Sequence, residues 1–130
     1  MKYAEITGWG SYVPQLVMTN DDISKVVDTS DEWIFSRSGI KQRYYSHVST
    51  GKMAWLACDR ALAVAGVDAE DIDLIILGST SPEEICPNTA SFIKNELGAT
   101  KAAAFDLNSA CTSWFYGVNV ATDMIKAGAI

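Results

Sequence analysis

The chain has 130 residues, of which 48% are hydrophobic and 20% charged, a composition typical of a folded domain with a sizeable core. The formal net charge of −6 argues against nucleic acid as a partner, because phosphate recognition needs a basic face. The strongest apolar run, Ile72 to Leu77, contains Asp73 and is too short to cross a bilayer. The N-terminus also lacks the apolar core of a signal peptide. We therefore expect neither nucleic acid nor a membrane as a partner.

The three cysteines, Cys58, Cys86 and Cys111, are widely spaced. They form neither a disulfide framework nor a CxxC pair, so we expect a reducing, cytoplasmic setting. Acidic residues do cluster, at Asp21–Asp22 and between Asp68 and Asp73, but no set of ligands with metal-binding spacing accompanies them. The sequence predicts no metal site.

The first third of the chain predicts short elements. Residues 3–7 are predicted to form a strand, and Thr19 or Asn20 is predicted to cap a short helix that runs through Val27. Ser30 is predicted to cap a second helix, Asp31 to Ser38, which Gly39 ends. Residues 41–48 are predicted to be extended.

The remaining elements alternate between helix and strand. We predict a helix over residues 52–65, ended by Gly66, and a strand over 74–77 that is apolar on both faces and therefore buried by helices on both sides. A helix over 89–97, a strand over 102–107 and a helix from 112 to about 126 follow. The order β, α, α, β, α, β, α predicts an α/β fold with a largely parallel sheet. No linker or repeat interrupts it, so residues 1–130 are interpreted as one domain.

In parallel sheets, ligands bind beyond the carboxyl ends of the strands. Ser79–Ser81 and Asn108–Cys111 follow the two predicted central strands and should meet at that edge. An anionic ligand would need a local basic cluster in so acidic a chain. Arg37, Lys41 and Arg43 are the best candidates for one.

Cys111 stands between a predicted strand and a predicted helix. The unpaired N–H groups and positive dipole at the start of a helix favour thiolate over thiol. A strand-to-helix elbow also holds a nucleophile out of a packed sheet, near N–H groups that can stabilise an oxyanion. Context alone leaves two interpretations open, a buried structural thiol or a catalytic nucleophile.

Two segments resemble β-ketoacyl-acyl-carrier-protein synthase III. Residues 28–40, DTSDEWIFSRSGI, are similar to the signature near the N-terminus of that family, and residues 106–117, DLNSACTSWFYG, are similar to its nucleophile segment. The opening residues 6–14, ITGWGSYVP, fit as well, so the likeness covers the whole chain. The resemblance implies a thiolase-like fold, with two βα halves in a layered αβαβα body, a mainly parallel mixed sheet, and a homodimer. The chain would be the N-terminal portion, without the C-terminal half.

The resemblance also implies an activity. An acyl group would pass from acyl-CoA, a substrate rather than a cofactor, to Cys111, and malonyl-acyl-carrier protein would then condense with it by decarboxylation to start fatty acid synthesis. Residues that match Thr29, Trp33 and Arg37 hold coenzyme A in that family. Positions 33 and 37 share one face of a helix, where the indole offers a surface for a base and the guanidinium can stack or pair with phosphate.

The chain departs from the family pattern near the acyl site. Ser113 holds the small position two places after the nucleophile, and Trp114 stands where phenylalanine is common. Cys86 stands where some members have a bulky phenylalanine that caps the acyl pocket of the partner subunit. We interpret Cys86, Trp114 and Phe115 as acyl-pocket residues, and we expect the smaller Cys86 to admit acyl chains longer than acetyl.

No residue here matches the histidine and asparagine that the family uses for condensation, and His47 is the only histidine. We therefore expect the isolated chain to be inactive in condensation. Three alternatives stay open: a condensing enzyme of polyketide or quinolone metabolism, a non-catalytic half-length module for dimerisation or carrier binding, and a thiol redox protein. The absence of a resolving cysteine near Cys111 argues against the last of these.

Overall fold

The structure, a computed structural model, describes residues 3–130. Packing of the Cα atoms divides the chain into two compact units. The larger unit consists of the residues up to Tyr12 together with Ser49–Ile130, and the smaller unit is Val13–Val48.

The smaller unit contains two short strands and two helices, in the order β1 (Leu16–Thr19), α1 (Asn20–Ser24), α2 (Asp31–Ser38) and β2 (Gln42–Tyr45). The two strands pair antiparallel, with β1 residue 16 opposite β2 residue 45. The sequence did not predict β1, and the predicted helix through residue 27 is wrong at its end, because α1 stops three residues earlier and turns follow. The predicted bounds of α2 are confirmed.

Local capping chemistry sets the bounds of these helices. The Thr19 hydroxyl accepts the N–H of Asp22 at 3.2 Å, and the Asp22 carboxylate accepts the N–H of Thr19 at 3.1 Å, which is a capping box. Hydrogen bonds from Lys25 and Thr19 hold the pKa of Asp22 well below its ordinary value. The lowered pKa means that this carboxylate stabilises the fold above the ordinary aspartate range and loses that effect as the pH falls. Ser30 accepts the Trp33 N–H at 3.1 Å to begin α2.

Asn20 is a buried hydrogen-bonding centre of the smaller unit, only 1% exposed. Its amide donates to Asp31 at 2.7 Å and to the carbonyl of Ile40 at 2.8 Å. Its amide oxygen accepts from Arg43 at 2.7 Å. Of the two residues predicted as possible caps of α1, Thr19 is the cap. Asn20 instead forms hydrogen bonds with the start of α2, with the segment after α2 and with β2.

The larger unit contains three helices and a pair of parallel strands: α3 (Thr50–Ala65), β3 (Leu74–Gly78), α4 (Thr89–Leu97), β4 (Ala103–Leu107) and α5 (Ser113–Ala127). These elements agree with the predicted ones to within two residues at most ends. Gly66, Gly98 and Gly128 end the three helices in the left-handed conformation, with φ between 65° and 74°. Within residues 3–130, every helix is too short or too polar to cross a bilayer.

The two faces of β3 are covered by different helices. Ile75 belongs to a buried cluster with Ala90 and Ile93 of α4 and with Ala99 and Ala102. Alternate residues of β3 instead line a groove against α5. The predicted helices on both faces of this strand are confirmed, although Ile75 is the one residue of β3 that is buried.

The predicted strand over residues 3–7 is wrong. None of its residues is assigned to a strand, and the segment that continues from them lies along α3. A Cβ on Gly8 would come within 2.5 Å of the Ala61 carbonyl oxygen, so the backbone of the segment lies directly on that of the helix. Arg60 fixes this approach by donating to the carbonyl of Ser11 at 2.6 Å. Strand pairing depends on a partner elsewhere in the chain, which local residue pattern does not specify.

Candidate active site

The carboxyl ends of β3 and β4 lie side by side. Gly78 is opposite Leu107 in the parallel register, and the N–H of Ser79 donates to the Leu107 carbonyl at 3.2 Å. The loops that follow the two strands therefore begin at the same edge of the sheet, as predicted. This is the edge where ligands of parallel sheets bind.

Cys111 lies in a 3₁₀ turn, Ala110–Thr112, that joins β4 to α5. Ala110 has φ of 52°, in the left-handed region, which is unusual for alanine and marks a sharp change of chain direction just before the cysteine. Cys111 is exposed and its thiol is free. The predicted elbow is present, and the alternative of a buried structural thiol does not describe Cys111 in this chain.

The start of α5 differs from the starts of α2, α3 and α4. Each of those three helices has a serine or asparagine cap, whereas no described side chain caps α5. The Ser113 N–H instead donates to the Ala110 carbonyl through the 3₁₀ turn, directly beside Cys111. N–H groups at the start of a helix can stabilise an oxyanion.

The residues that anchor the neighbouring helix α4 were not predicted from the sequence. The Asp106 carboxylate, which belongs to β4, accepts the N–H groups of Thr89 and Ala90 at 3.0 and 2.8 Å. Asn88 caps α4 and donates to the carbonyl of Ala104 at 3.2 Å. A carboxylate inside an otherwise apolar strand pattern was the signal that could have indicated this anchor. The strand that leads to Cys111 is thus tied to α4 by charge-assisted hydrogen bonds.

Trp33 and Arg37 lie together on α2 of the smaller unit. The Arg37 guanidinium carbon is 4.5 Å from the centroid of the Trp33 ring, so the predicted shared face is confirmed. Trp33 is 55% exposed and lines a cavity of about 430 Å³ with Val27, Asp28, Thr29 and Ser30. The Thr29 hydroxyl oxygen is shielded from solvent and has no hydrogen-bond partner among the described residues. A shielded hydroxyl without a partner costs free energy in the folded state.

The predicted cluster of Arg37, Lys41 and Arg43 is wrong. Arg43 is engaged with Asn20 and with the carbonyl of Met18, and the Lys41 ammonium lies 5.0 Å from the centroid of the Phe35 ring. Arg43 is used for structure, because its guanidinium satisfies a buried amide. Arg37 is the member of this set that lies beside the cavity-lining Trp33.

The three residues interpreted as acyl-pocket residues all belong to the larger unit and are all exposed. Trp114 and Phe115 meet edge to face, with ring centroids 5.2 Å apart. Trp114 also lines the groove between β3 and α5, whose volume is about 500 Å³. Cys86 lies in the irregular segment between β3 and α4 and is not among the residues that line this groove.

Among residues 3–130, no group of three or more histidine, cysteine, aspartate or glutamate side chains is placed to hold a metal ion. His47 is exposed in a turn after β2, in the smaller unit.

Cys58 provides a contrast to Cys111, because it is half-buried in α3 against the core and burial raises its pKa. The folded state holds this proton more tightly than the unfolded chain. The buried neutral thiol therefore stabilises the fold below the ordinary thiol pKa of roughly 8.5, and that contribution is lost as the pH rises through the raised value.

We expect the destabilisation caused by Cys58→Ala to be smaller at pH 10 than at pH 7 in urea unfolding. Cys86→Ala, at an exposed cysteine, is the control, and an equal Cys58→Ala effect at both pH values would contradict the prediction.

Comparisons with known proteins give the family context of this site. No family model matches the chain. The β-ketoacyl-acyl-carrier-protein synthase III 2 of Vibrio vulnificus is 52% identical over 127 residues, which are 98% of this chain and 35% of that relative. The solved 3-oxoacyl-acyl-carrier-protein synthase III of Aquifex aeolicus is 41% identical, with a TM-score of 0.88 over 95% of this chain and 41% of the other.

The chain matches the N-terminal portion of β-ketoacyl-acyl-carrier-protein synthase III. The resemblance and the thiolase-like α/β fold that it implied are confirmed. The priming β-ketosynthase of the R1128 polyketide biosynthetic pathway is also similar, at 32% identity and a TM-score of 0.91 over 98% of this chain and 39% of that structure. The chain thus spans little more than a third of the length of the synthase III relatives that it matches.

Proposed function

We propose that this chain carries the nucleophile and the coenzyme A site of a β-ketoacyl-acyl-carrier-protein synthase III, an acyltransferase of fatty acid biosynthesis. The observation that carries the proposal is the placement of Cys111, an exposed free thiol on a strand-to-helix elbow at the carboxyl edge of a parallel sheet. The protein works as a homodimer, and its three free cysteines suit the reducing cytoplasm.

In the first half-reaction, the Cys111 thiolate attacks the thioester carbonyl of acyl-CoA. The tetrahedral oxyanion is stabilised by N–H groups at the start of α5, and its collapse expels coenzyme A as a thiolate that takes up a proton. In the second half-reaction, malonyl-acyl-carrier protein loses CO₂, and the resulting carbanion attacks the acyl-Cys111 carbonyl. The β-ketoacyl group leaves on the carrier protein, and the Cys111 thiolate is regenerated.

The smaller unit binds coenzyme A through α2. Trp33 offers an exposed ring for the adenine base, and Arg37 supplies positive charge for phosphate. Support comes from Thr29, which lines the same cavity as Trp33. Both aromatic and cationic groups are thus in place on one helix face before the ligand binds.

The direct test is acyl loading. The purified protein is incubated with acyl-CoA of two to ten carbons, and its cysteine-containing peptides are analysed by mass spectrometry. We expect a thioester on Cys111 with release of free coenzyme A, and no acyl group on Cys58 or Cys86. Absence of an acyl group on Cys111 with every chain length would refute the proposal.

The same series tests acyl-chain length. We propose that chains longer than acetyl are accepted, because Cys86 is a small side chain in an exposed segment and Trp114 and Phe115 present apolar surface at the start of α5. Strict preference for the two-carbon donor would remove this part of the proposal and leave the acyl transfer intact.

Trp33→Ala is expected to raise the KM for acyl-CoA by about tenfold while kcat for acyl loading changes little. Loss of base stacking costs roughly 1–3 kcal/mol, and Trp33 acts in binding rather than at the reacting atoms. Steady-state kinetics of coenzyme A release measure both constants. Phe35→Ala is the matched control, because this exposed aromatic lies on the same helix at a position that does not share the Trp33 face. An unchanged KM in Trp33→Ala would contradict the assigned role.

A second candidate is the priming ketosynthase of a polyketide pathway, favoured by the similarity to the R1128 enzyme. Both candidates load Cys111, so the acceptor distinguishes them. Condensation with the malonyl-loaded carrier protein of fatty acid synthesis supports the first, and reaction only with a polyketide carrier protein supports the second.

A further inference from the structure

Ser113 is the first residue of α5 and is only 4% exposed. It packs against the end of β3, where a Cβ placed on Gly78 would lie 2.8 Å from the Ser113 Cβ. Only glycine at position 78 allows this approach without movement of the neighbouring atoms. The start of the helix that follows Cys111 is therefore held directly against the sheet.

The Ser113 hydroxyl makes two hydrogen bonds to the turn before Cys111. It accepts the Ser109 N–H at 2.9 Å and donates to the Ala110 carbonyl at 2.7 Å. The Ser109 N–H and the Ala110 carbonyl lie on either side of the Ala110 backbone, which is left-handed with φ of 52°. A non-glycine residue stays in that region only when its surroundings over-determine it.

Thr112 also bonds to this turn, through its hydroxyl to the Ser109 carbonyl at 2.6 Å. Thr112 is exposed, so water can take over its hydrogen bond. Water cannot replace the Ser113 hydroxyl as readily, since that side chain is buried. Of the two hydroxyls, the one on Ser113 therefore contributes more to the shape of the elbow.

We propose that Ser113 is a positioning residue for Cys111. Its buried hydroxyl holds the left-handed turn that presents the thiol at the start of α5. This inference rests on the proposed function for its catalytic meaning, since positioning matters if Cys111 is the acylated group. The position of the Cys111 thiol affects its rate of alkylation, which is measured without a substrate.

The test uses the three cysteines of the full chain as separate reporters. The rate of alkylation by iodoacetamide is measured for each cysteine by peptide mass spectrometry. Cys111 reports the elbow, exposed Cys86 is the internal reference, and half-buried Cys58 reports loss of the fold. The variants are Ser113→Ala, which removes the hydroxyl, and Ser113→Thr, which keeps it. Thr122→Ala, which removes a hydroxyl farther along α5, is the control.

We expect Ser113→Ala to lower the ratio of the Cys111 rate to the Cys86 rate by about threefold or more, because the loosened turn no longer holds the thiol in its exposed position at the start of α5. Ser113→Thr and Thr122→Ala should stay within about twofold of the wild-type ratio. A smaller fall in Ser113→Ala overturns the proposal, and so does an equal fall in both Ser113 variants, which would assign the effect to packing against Gly78. Faster alkylation of Cys58 in Ser113→Ala would show that this variant has lost part of its fold. Ser113→Thr is then compared with wild type: a Cys111 to Cys86 ratio within about twofold supports the proposal, and a larger fall overturns it.

A kinetic readout separates this proposal from the proposed function. In Ser113→Ala, kcat for acyl loading should fall by about tenfold with KM for acyl-CoA unchanged. If the wild-type protein loads no acyl group, the proposed function fails while the alkylation ratio still tests the positioning. If loading occurs and the ratio is unchanged, the positioning fails alone.

Discussion

Cys111→Ala is expected to reduce acyl loading from acyl-CoA by roughly 10³-fold or more, because removal of a nucleophile eliminates the covalent route. The remaining protein should still bind acyl-CoA, since Trp33, Arg37 and Thr29 belong to the smaller unit and Cys111 to the larger. Coenzyme A release measures the loss, and equilibrium binding of acyl-CoA measures what is retained. The expected result is an inactive protein with a near wild-type Kd.

Cys86→Ala is the matched control for this prediction, because it removes another exposed free thiol of the same unit. It should keep acyl loading within about threefold of wild type, as expected of a group that does not react. Loading that persists in Cys111→Ala and disappears in Cys86→Ala would transfer the nucleophile to the other cysteine. Loading unaffected by either substitution would contradict covalent catalysis by a thiol outside the core.

Helix bounds were predictable because the chemistry that sets them is local. Ser30 and Gly39 bound α2 as predicted, and Gly66 and Gly98 end α3 and α4 in the left-handed conformation that glycine adopts without strain. The strands were less predictable. Residues 3–7 are not assigned to a strand, while Leu16–Thr19 pairs with a segment more than twenty residues away. Pairing is a long-range choice that the residue pattern of one segment does not fix.

In the candidate site, too, features set by local residue pattern were predictable and features set by contacts with other segments were not. Cys111 at the elbow followed from the order of strand and helix, and the Trp33–Arg37 stack followed from helix spacing. The left-handed Ala110 could not be predicted, because alanine carries no preference for that conformation and the hydrogen bonds that hold it come from Ser113. The cationic cluster was wrong because Arg43 is satisfied by a buried amide, which cannot be known before the fold is known.

Asn20→Ala is expected to lower the free energy of unfolding by about 2–4 kcal/mol, the largest stability effect we expect from a polar residue here. Asn20 is 1% exposed and its side chain makes three hydrogen bonds, two donated and one accepted. Alanine would remove the donor to Asp31 and to the Ile40 carbonyl, and it would leave the Arg43 guanidinium with the Met18 carbonyl as its acceptor. A hydrogen bond contributes about 0.5–1.5 kcal/mol to stability, and one to a charged group such as Asp31 or Arg43 contributes about 1.5–3 kcal/mol.

The consequence should reach the coenzyme A site, because Asp31 begins α2 and Ile40 follows its C-terminal cap, Gly39. Urea unfolding measures the loss of stability, and the KM for acyl-CoA should rise in the same variant as α2 loses its anchor. Asn95→Ala, the same substitution at an exposed position of α4, should change the free energy of unfolding by less than about 0.5 kcal/mol. An Asn20→Ala protein as stable as Asn95→Ala would show that water replaces the buried amide, and α2 would then owe its position to its caps alone.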